Sequence, residues 1–346
     1  MLLAKVTAGT RQYLKLSLRI WLGLVLLSAW AWALTARIAE VAISPGSVFR
    51  VEAVPPGRSS AGGKPSFYGV SIDATRLTPI EYVWDLLNPN VSFLPGLESG
   101  ASISQGVLTL SQQAEIAAAV AAAKYLRLPV RAIPGVVVKG VLPLSPARRE
   151  LAVGDLIVSV NGVRVTSLAA LDAAVALHPG LPFTTLAFLR YNGAGRLLNR
   201  SATVRVAFNA GHLGLVVSPA IGYSIPFAVK LSTLDTQLNT ASLSEALAVV
   251  GEYRKFPGVR KGGFRVAAIG SVTTSGQVLP VIGIRQRVVA ARDGGFSYLL
   301  VPKMQVTAAR GASFGRIRIV GVSSLAQAVE AVAGAAGGRN PVGVVR

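Results

Sequence analysis

No cysteine occurs in the chain, which excludes disulfide frameworks, thiolate metal clusters and cysteine nucleophiles. Histidine is nearly absent as well: His178 and His212 leave little from which to build a histidine-rich metal site or a Ser-His-Asp triad. Acidic residues are scarce, 15 against 35 Lys plus Arg, and the net charge of +20 selects anionic partners: nucleic acid, acidic lipid headgroups or envelope polymers. Charge of either sign is itself sparse. With 14% charged and 51% hydrophobic residues the chain has ample material for cores, which argues against a disordered basic tail. No G-x-x-x-x-G-K-[ST] phosphate loop is found, so the sequence offers no Walker-type nucleotide site. No repeat of fixed period points to a solenoid, and 346 residues suggest two or three domains.

Ile20 to Ala36 reads IWLGLVLLSAWAWALTA, an uncharged run at the short end of what spans a bilayer core as a helix. Lys5, Arg11, Lys15 and Arg19 precede it with no acid, whereas Arg37 and Glu40 cancel just after it. The positive-inside rule therefore predicts a transmembrane anchor at 20–36, a cytoplasmic basic tail at 1–19 and an exterior remainder. A retained anchor is favoured over a cleaved signal peptide, for which Ala31-Trp32-Ala33 and Ala33-Leu34-Thr35-Ala36 offer small residues, and over a buried core helix.

Residues 37–128 read as an exterior stalk and helical region. Up to about residue 66 they are rich in Pro, Gly and Ser, as in Ser44-Pro45-Gly46 and Pro55-Pro56-Gly57, and are expected to have little core of their own. Thr78-Pro79-Ile80-Glu81 has a hydroxyl at N-cap, proline in the first turn and a carboxylate at N3, which predicts a helix from Pro79 to about Leu87. An alanine-rich helix is expected from Ser111 to Leu126, with Ser111 as cap and Glu115 in its first turns.

Next come a β-branched run from Val136 to Leu142, Ser145-Pro146-Ala147, and then Gly154-Asp155-Leu156-Ile157-Val158-Ser159-Val160-Asn161-Gly162. Ser167 caps a helix whose Leu168, Leu171 and Val175 share one face, and Asn192-Gly193 marks a hairpin turn. In this order these words resemble a bacterial-type PDZ domain over residues 129–208. PDZ domains are small β-barrels that take an extended peptide, usually a free C-terminus, as an added strand. The resemblance implies a receiving edge at Gly135, Val136, Val137 and Val138, facing the helix from Leu168 to Leu177.

From His212 onward the sequence reads LGLVVSPAIG, IPFAVKL, ASLSEALAVVGEY and FRVAAIGSVTTSGQVLPVIGIRQRVVAARDGGFSYLLVP. Residues 209–346 resemble the proteolytic domain of Lon. The layout of anchor, PDZ and Lon-like domain, with the N-terminal words ISPG, TRLTPIEYVWDLLNP and AAAKYLRLPV, resembles the membrane-anchored PDZ-containing Lon-like proteins of Gram-positive bacteria. The resemblance implies a mixed α+β fold and a Ser-Lys dyad, with the serine in G-P-S-A-G and the lysine in G-G-[I/L]-x-x-K-x-x-A-A. Ile282 to Ala291 carries the second motif with Arg287 at the lysine position, and a gapless match then puts Ser244 of Ser242-Leu243-Ser244-Glu245-Ala246 at the nucleophile. A desolvated lysine can shed its proton near neutral pH and take one from serine. Arginine, with a pKa above about 12, cannot. Loss of the flanking glycine and proline further weakens an oxyanion hole, and Glu245 sets a carboxylate beside it, where it is free to pair with Arg287. Rescue would need Lys230, Lys255, Lys261 or Lys303 to reach Ser244; its structural alternative is an ordinary first-turn helix serine.

Arg254, Lys255, Arg260, Lys261 and Arg265 alternate with Tyr253, Phe256 and Phe264. In an exterior domain this mixture favours anionic lipid or wall polymer over nucleic acid, with a plain solvated loop as the alternative. Three functions follow: a non-catalytic membrane-tethered adaptor or regulator binding peptide and protein C-terminal tails; an ATP-independent serine endopeptidase using Ser244; and a basic envelope scaffold. Nothing calls for a cofactor or metal, and the Lon resemblance implies a homo-oligomer.

Overall fold

The computed structural model describes residues 2–51, 66–94, 100–177, 183–191, 197–205, 213–227, 241–254, 256 and 264–336. The N-terminal segment forms α1 (Leu2–Thr35), β1 (Val41–Val51), β2 (Ser66–Arg76), α2 (Pro79–Asp85), β3 (Ser92–Leu94) and α3 (Gly100–Tyr125). A second unit contains β4 (Arg131–Val141), β5 (Leu156–Val160), β6 (Val163–Arg164), α4 (Leu168–Ala176), β7 (Phe183–Tyr191), β8 (Leu197–Arg205) and β9 (Leu215–Ser224). The C-terminal part comprises α5 (Ser242–Tyr253), β10 (Arg265–Ala268), β11 (Ser271–Val272), β12 (Val278–Leu279), α6 (Ile284–Asp293), β13 (Tyr298–Pro302), α7 (Val306–Ser313), β14 (Arg318–Val322) and α8 (Leu325–Ala336).

Of the stalk expected before residue 66, Val41–Val51 is instead β1 of a six-stranded sheet, and residues 52–65 lie outside the described residues. That sheet runs β14-β13-β10-β2-β1-β3, with β10 parallel to β2 through Val266↔Phe67. Val41, Ala42, Ile43, Phe67, Val70 and Ile72 are buried in it. Ser44-Pro45-Gly46, which reads as a loop by composition, is the irregular step between Pro45 and Val48 where β1 bulges against β2. A Cβ on Gly46 would lie 2.8 Å from the Ser71 carbonyl carbon, and the Ser71 hydroxyl accepts from the Ser47 amide at 2.9 Å. Side-chain alternation divides the core in two. Phe67, Val266, Ala268 and Leu300 meet α3, α5 and α8 on one face; Val70, Ala267, Leu299 and Ile319 meet α6 and α7 on the other. Residues from before and after the PDZ-like unit therefore share one α/β body; the boundary at 128 falls at the junction between α3 and β4, whereas that at 209 falls inside the inserted unit, ahead of β9.

The inserted unit has the order β8-β7-β5-β4-β9, with β6 on β5. Among the described residues it is an open sheet with one face on a core of Val136, Val138, Ile157, Val160, Leu171 and Leu186. Its C-terminal strand, β9, lies beyond residue 208 and pairs along almost all of β4, from Arg131↔Ser224 to Val141↔Leu215. The Asn161-Gly162 turn has φ of 48° and 81°, as a two-residue hairpin requires. Asn192-Gly193 lies outside the described residues, between strands paired at Tyr191↔Leu197.

The capping box forms as expected: the Thr78 amide donates to Glu81 Oε2 at 2.7 Å, and α2 starts at Pro79. Ser167 Oγ accepts from the Ala170 amide at 3.1 Å at the head of α4. The alanine-rich helix starts at Gly100, so Ser111 lies inside it; burial of Ala118, Ala119, Ala122 and Ala123 against α5 and α8 outweighs a local cap signal. The apolar N-terminal run belongs to the long α1. Among the described residues no helix is long and apolar enough to cross a membrane.

Candidate functional site

Ser244 sits in the first turn of α5 and is fully buried. Its hydroxyl donates to the Ala241 carbonyl at 2.8 Å, as a first-turn serine turned back on its own chain does. The helix start is held by its neighbours: Ser242 Oγ accepts from the Val272 amide at 2.9 Å, and the Leu243 amide donates to the Gly270 carbonyl at 3.2 Å. These bonds hold α5 against the β10–β11 turn.

Arg287 lies on α6 and is 1% exposed. The αL conformation of Gly283 (φ 69°) lets the chain enter α6, and a Cβ there would meet Ile72 Cδ1 at 3.0 Å. The guanidinium donates to the Val70 carbonyl and, through Nε, to the Ile282 carbonyl at 3.1 Å. It thereby ties α6 to β2. Burial pulls its pKa down to about 10, which leaves it cationic at neutral pH. α5 and α6 approach the same stretch of β2 from opposite faces: Ala241, at the head of α5, packs 3.0 Å from where a Gly69 Cβ would stand, and Arg287 holds the next carbonyl, that of Val70.

The carboxyl beside Ser244 has a different neighbour from the one its sequence position suggests. Glu245 is buried with α5 against α3, its pKa is pushed up to about 8 by burial and then by the charge of Glu115, and Oε2 has no hydrogen-bond partner among the described residues. After burial, the charge that acts on it is that of Glu115 on α3. Sequence reading missed this pair because its members lie on helices far apart in the chain.

Of the lysines considered as substitutes for the base, Lys230, Lys255 and Lys261 lie outside the described residues, and Lys303 is exposed just after β13. His178 and His212 also lie outside them. No cluster of metal-ligating residues occurs among the described residues. Where the basic segment is described, it builds structure: Arg254 donates to Tyr125 Oη at 2.7 Å, Arg265 stacks 4.3 Å from the Phe296 ring centroid, and Phe256 is buried in the core. Arg260, like Lys255 and Lys261, lies outside the described residues.

The peptide-receiving edge requires a correction. Gly135, Val136, Val137 and Val138 lie on β4, with β9 on one side and β5 on the other (Val136↔Pro219 and Val136↔Ile157). A strand flanked on both sides has no free edge. Among the described residues the edges of this sheet are β8 and β9, and β9 is the one next to β4. The Val138 amide and carbonyl bond to Asp155 and Gly154, toward β5, so by alternation the amides and carbonyls of Gly214, Ser218 and Ala220 face β4. The bond from the Leu142 amide to the Gly214 carbonyl fits this phase. Leu215, Val217, Pro219 and Ile221 therefore turn their backbones outward, and Pro219 has no amide to offer. Leu215 and Val217 share the core with Leu171, Ala174 and Val175, which sets the outward edge beside α4 as an added strand requires, while Leu168 is exposed. The opposite face of β4 and β9 borders a cleft of about 450 Å³ shared with Ile116 of α3 and Thr274.

Residues 112–180 match the PDZ domain family, and residues 246–310 match the C-terminal proteolytic domain of Lon protease (S16). The first match spans the end of α3 through α4 and stops before β9; the second starts two residues after Ser244 and contains Arg287. Among curated proteins none matches the chain. The chain thus carries a PDZ domain and a Lon-type proteolytic domain in a mixed α and β fold, and PDZ domains bind peptide C-terminal tails.

Proposed function

We propose that this chain is a membrane-tethered protein that binds peptide tails at β9 and acts as an adaptor or regulator of proteolysis, its Lon-type domain no longer cleaving peptides. The observation that carries the reading is the state of Ser244: fully buried, with its hydroxyl donated to Ala241. Arg287 supports it from the other side, since a guanidinium with a pKa of about 10 holds its proton at pH 7 and cannot accept one from serine. The Leu243 amide is committed to Gly270 and is not offered to substrate. Tails would enter beside α4, pairing with the outward amides of Leu215 and Val217, and pairing would lapse at Pro219.

Tethering rests on α1. Trp21, Leu24, Leu27, Trp30 and Trp32 are all exposed on it, and the cations Lys5, Arg11, Lys15 and Arg19 lie at its N-terminal end. By the positive-inside rule this charge pattern favours a cytoplasmic N-terminus with the PDZ and Lon-type domains outside. The +20 net charge favours contact with anionic lipid.

The test compares cleavage of an unfolded protein substrate by the full chain and by its Ser244→Ala and Arg287→Lys forms. The expected result is no turnover above the Ser244→Ala background in either wild type or Arg287→Lys. Cleavage by wild type that disappears in Ser244→Ala would establish the active endopeptidase instead.

A further inference from the structure

The short helix α2 turns an apolar face away from the protein. Ile80, Val83, Trp84 and Leu87 fall at i, i+3, i+4 and i+7, on one side of the helix and its continuation. Val83, Trp84 and Leu87 are 61%, 76% and 79% exposed, and Leu86 adds to the patch. The other side faces inward: the Tyr82 ring packs 4.9 Å from that of Phe93, and Glu81 closes the capping box on Thr78. Those bonds hold the orientation of α2, so its apolar side chains cannot turn in toward a core.

Further bonds connect α2 to the end of α1. The Ile38 amide donates to the Leu77 carbonyl at 3.0 Å, and Arg37 donates to the Arg76 carbonyl at 2.8 Å while standing 3.5 Å from Glu81. The exposed apolar surface of α1, ending with Trp32 and Leu34, is thus followed within a few residues by that of α2. Tryptophan and leucine on one face of a short helix, acids on the other, and an arginine at the junction form the pattern of a segment lying in a membrane interface.

We propose that α2 is a foot that seats in the lipid headgroup boundary beside α1, with Val83, Trp84 and Leu87 reaching the acyl chains. The proposal rests on the tethering read from α1, and its consequence is a defined orientation of the main sheet above the bilayer instead of free swinging on a single helix.

A chain without cysteine allows clean labelling. Single nitroxide labels go on full-length Leu87→Cys, on Leu27→Cys in α1 and on Asp172→Cys on the exposed side of α4, each reconstituted in vesicles of phosphatidylcholine and phosphatidylglycerol. Collisions with oxygen, which concentrates in lipid, are compared with collisions with a water-soluble nickel chelate. The expected oxygen-to-nickel ratio at Leu87 is at least about fivefold that at Asp172, and it persists in phosphatidylcholine alone because apolar burial drives the insertion. A Leu87 label that matches Asp172 while Leu27 reads as lipid overturns the foot and leaves the tether intact. A Leu87 label shielded from both reagents also overturns it and assigns the face to a second copy of the chain. A Leu27 label in water defeats the tether whatever Leu87 reports.

Discussion

Glu115 raises the pKa of Glu245 across the packed seam between α3 and α5, adding to a larger effect of burial, and the two bring the carboxyl up to about 8. An unfolded chain returns it to its ordinary value near 4.5. Between these values the folded state binds the extra proton, so its contribution to stability is full below about pH 4.5 and is lost as pH rises through 8. The expected slope is at most about 1.4 kcal/mol per pH unit. Urea midpoints measured from pH 5 to pH 8 should fall with pH in the wild type and flatten in Glu245→Gln, which also gains stability at pH 8. Parallel slopes for the two proteins would refute the assignment.

Arg287 serves β2 and α6 as a tie. Its removal in Arg287→Ala strands the Val70 and Ile282 carbonyls and opens a hole in the core, which should cost about 3 kcal/mol or more. Arg287→Lys keeps the charge but offers a point donor in place of the fork, so it should be intermediate. Thermal midpoints in the order wild type, lysine, alanine are expected; equal midpoints would show that the tie is dispensable.

At the PDZ sheet edge, Val217→Pro deletes an outward amide while leaving the β4–β9 ladder intact. Tail binding should fall at least about tenfold, the worth of one hydrogen bond of about 1.4 kcal/mol, with the melting temperature little changed. Val137→Pro removes an amide that faces β9, and it should unfold the domain. Fluorescence anisotropy of a labelled peptide library with free carboxyl termini provides the readout. If Val217→Pro binds as well as wild type, tails do not pair at β9.

Asp155 is buried and accepts from Ala152 N at 2.7 Å and from both Nε and Nη2 of Arg190, whose side chain is 40% exposed. The two ends of this pair are therefore unequal. Arg190→Met leaves a buried carboxylate without its countercharge, whereas Asp155→Asn leaves a guanidinium that can rehydrate. At pH 7 the first should cost more than the second, by about 1–3 kcal/mol. Equal losses measured by denaturant titration would contradict this asymmetry.

Legibility in the sequence followed the range of the interaction. Thr78 with Glu81, Ser167 with Ala170, and Asn161 with Gly162 act over a few residues and were readable as caps and turns. The pairing of Val266 with Phe67 joins segments on either side of a whole inserted domain, and no local pattern announces it. Proline and glycine misled near Ser44-Pro45-Gly46, where they shape a bulge inside a strand of the main sheet. Motif spacing placed Ser244 at a helix start, as found, but burial and the Glu115 neighbour arise from tertiary packing. The receiving edge was misplaced because β9 returns to pair with β4 from beyond the span of the motif.

The parallel pairing of β2 with β10 also orders events during synthesis. As the chain emerges from the ribosome, β1 and β2 appear first, yet β2 lacks its β10 neighbour until residues past Arg265 have been made. The PDZ sheet, whose strands all lie between Arg131 and Ser224, is complete before then. It should fold first and bring Tyr125 and Ile225 together, shortening the loop that the last strands must close. Until that closure, Phe67, Val70 and Ile72 wait uncovered, so the interval before β10 emerges is when this chain most needs a chaperone.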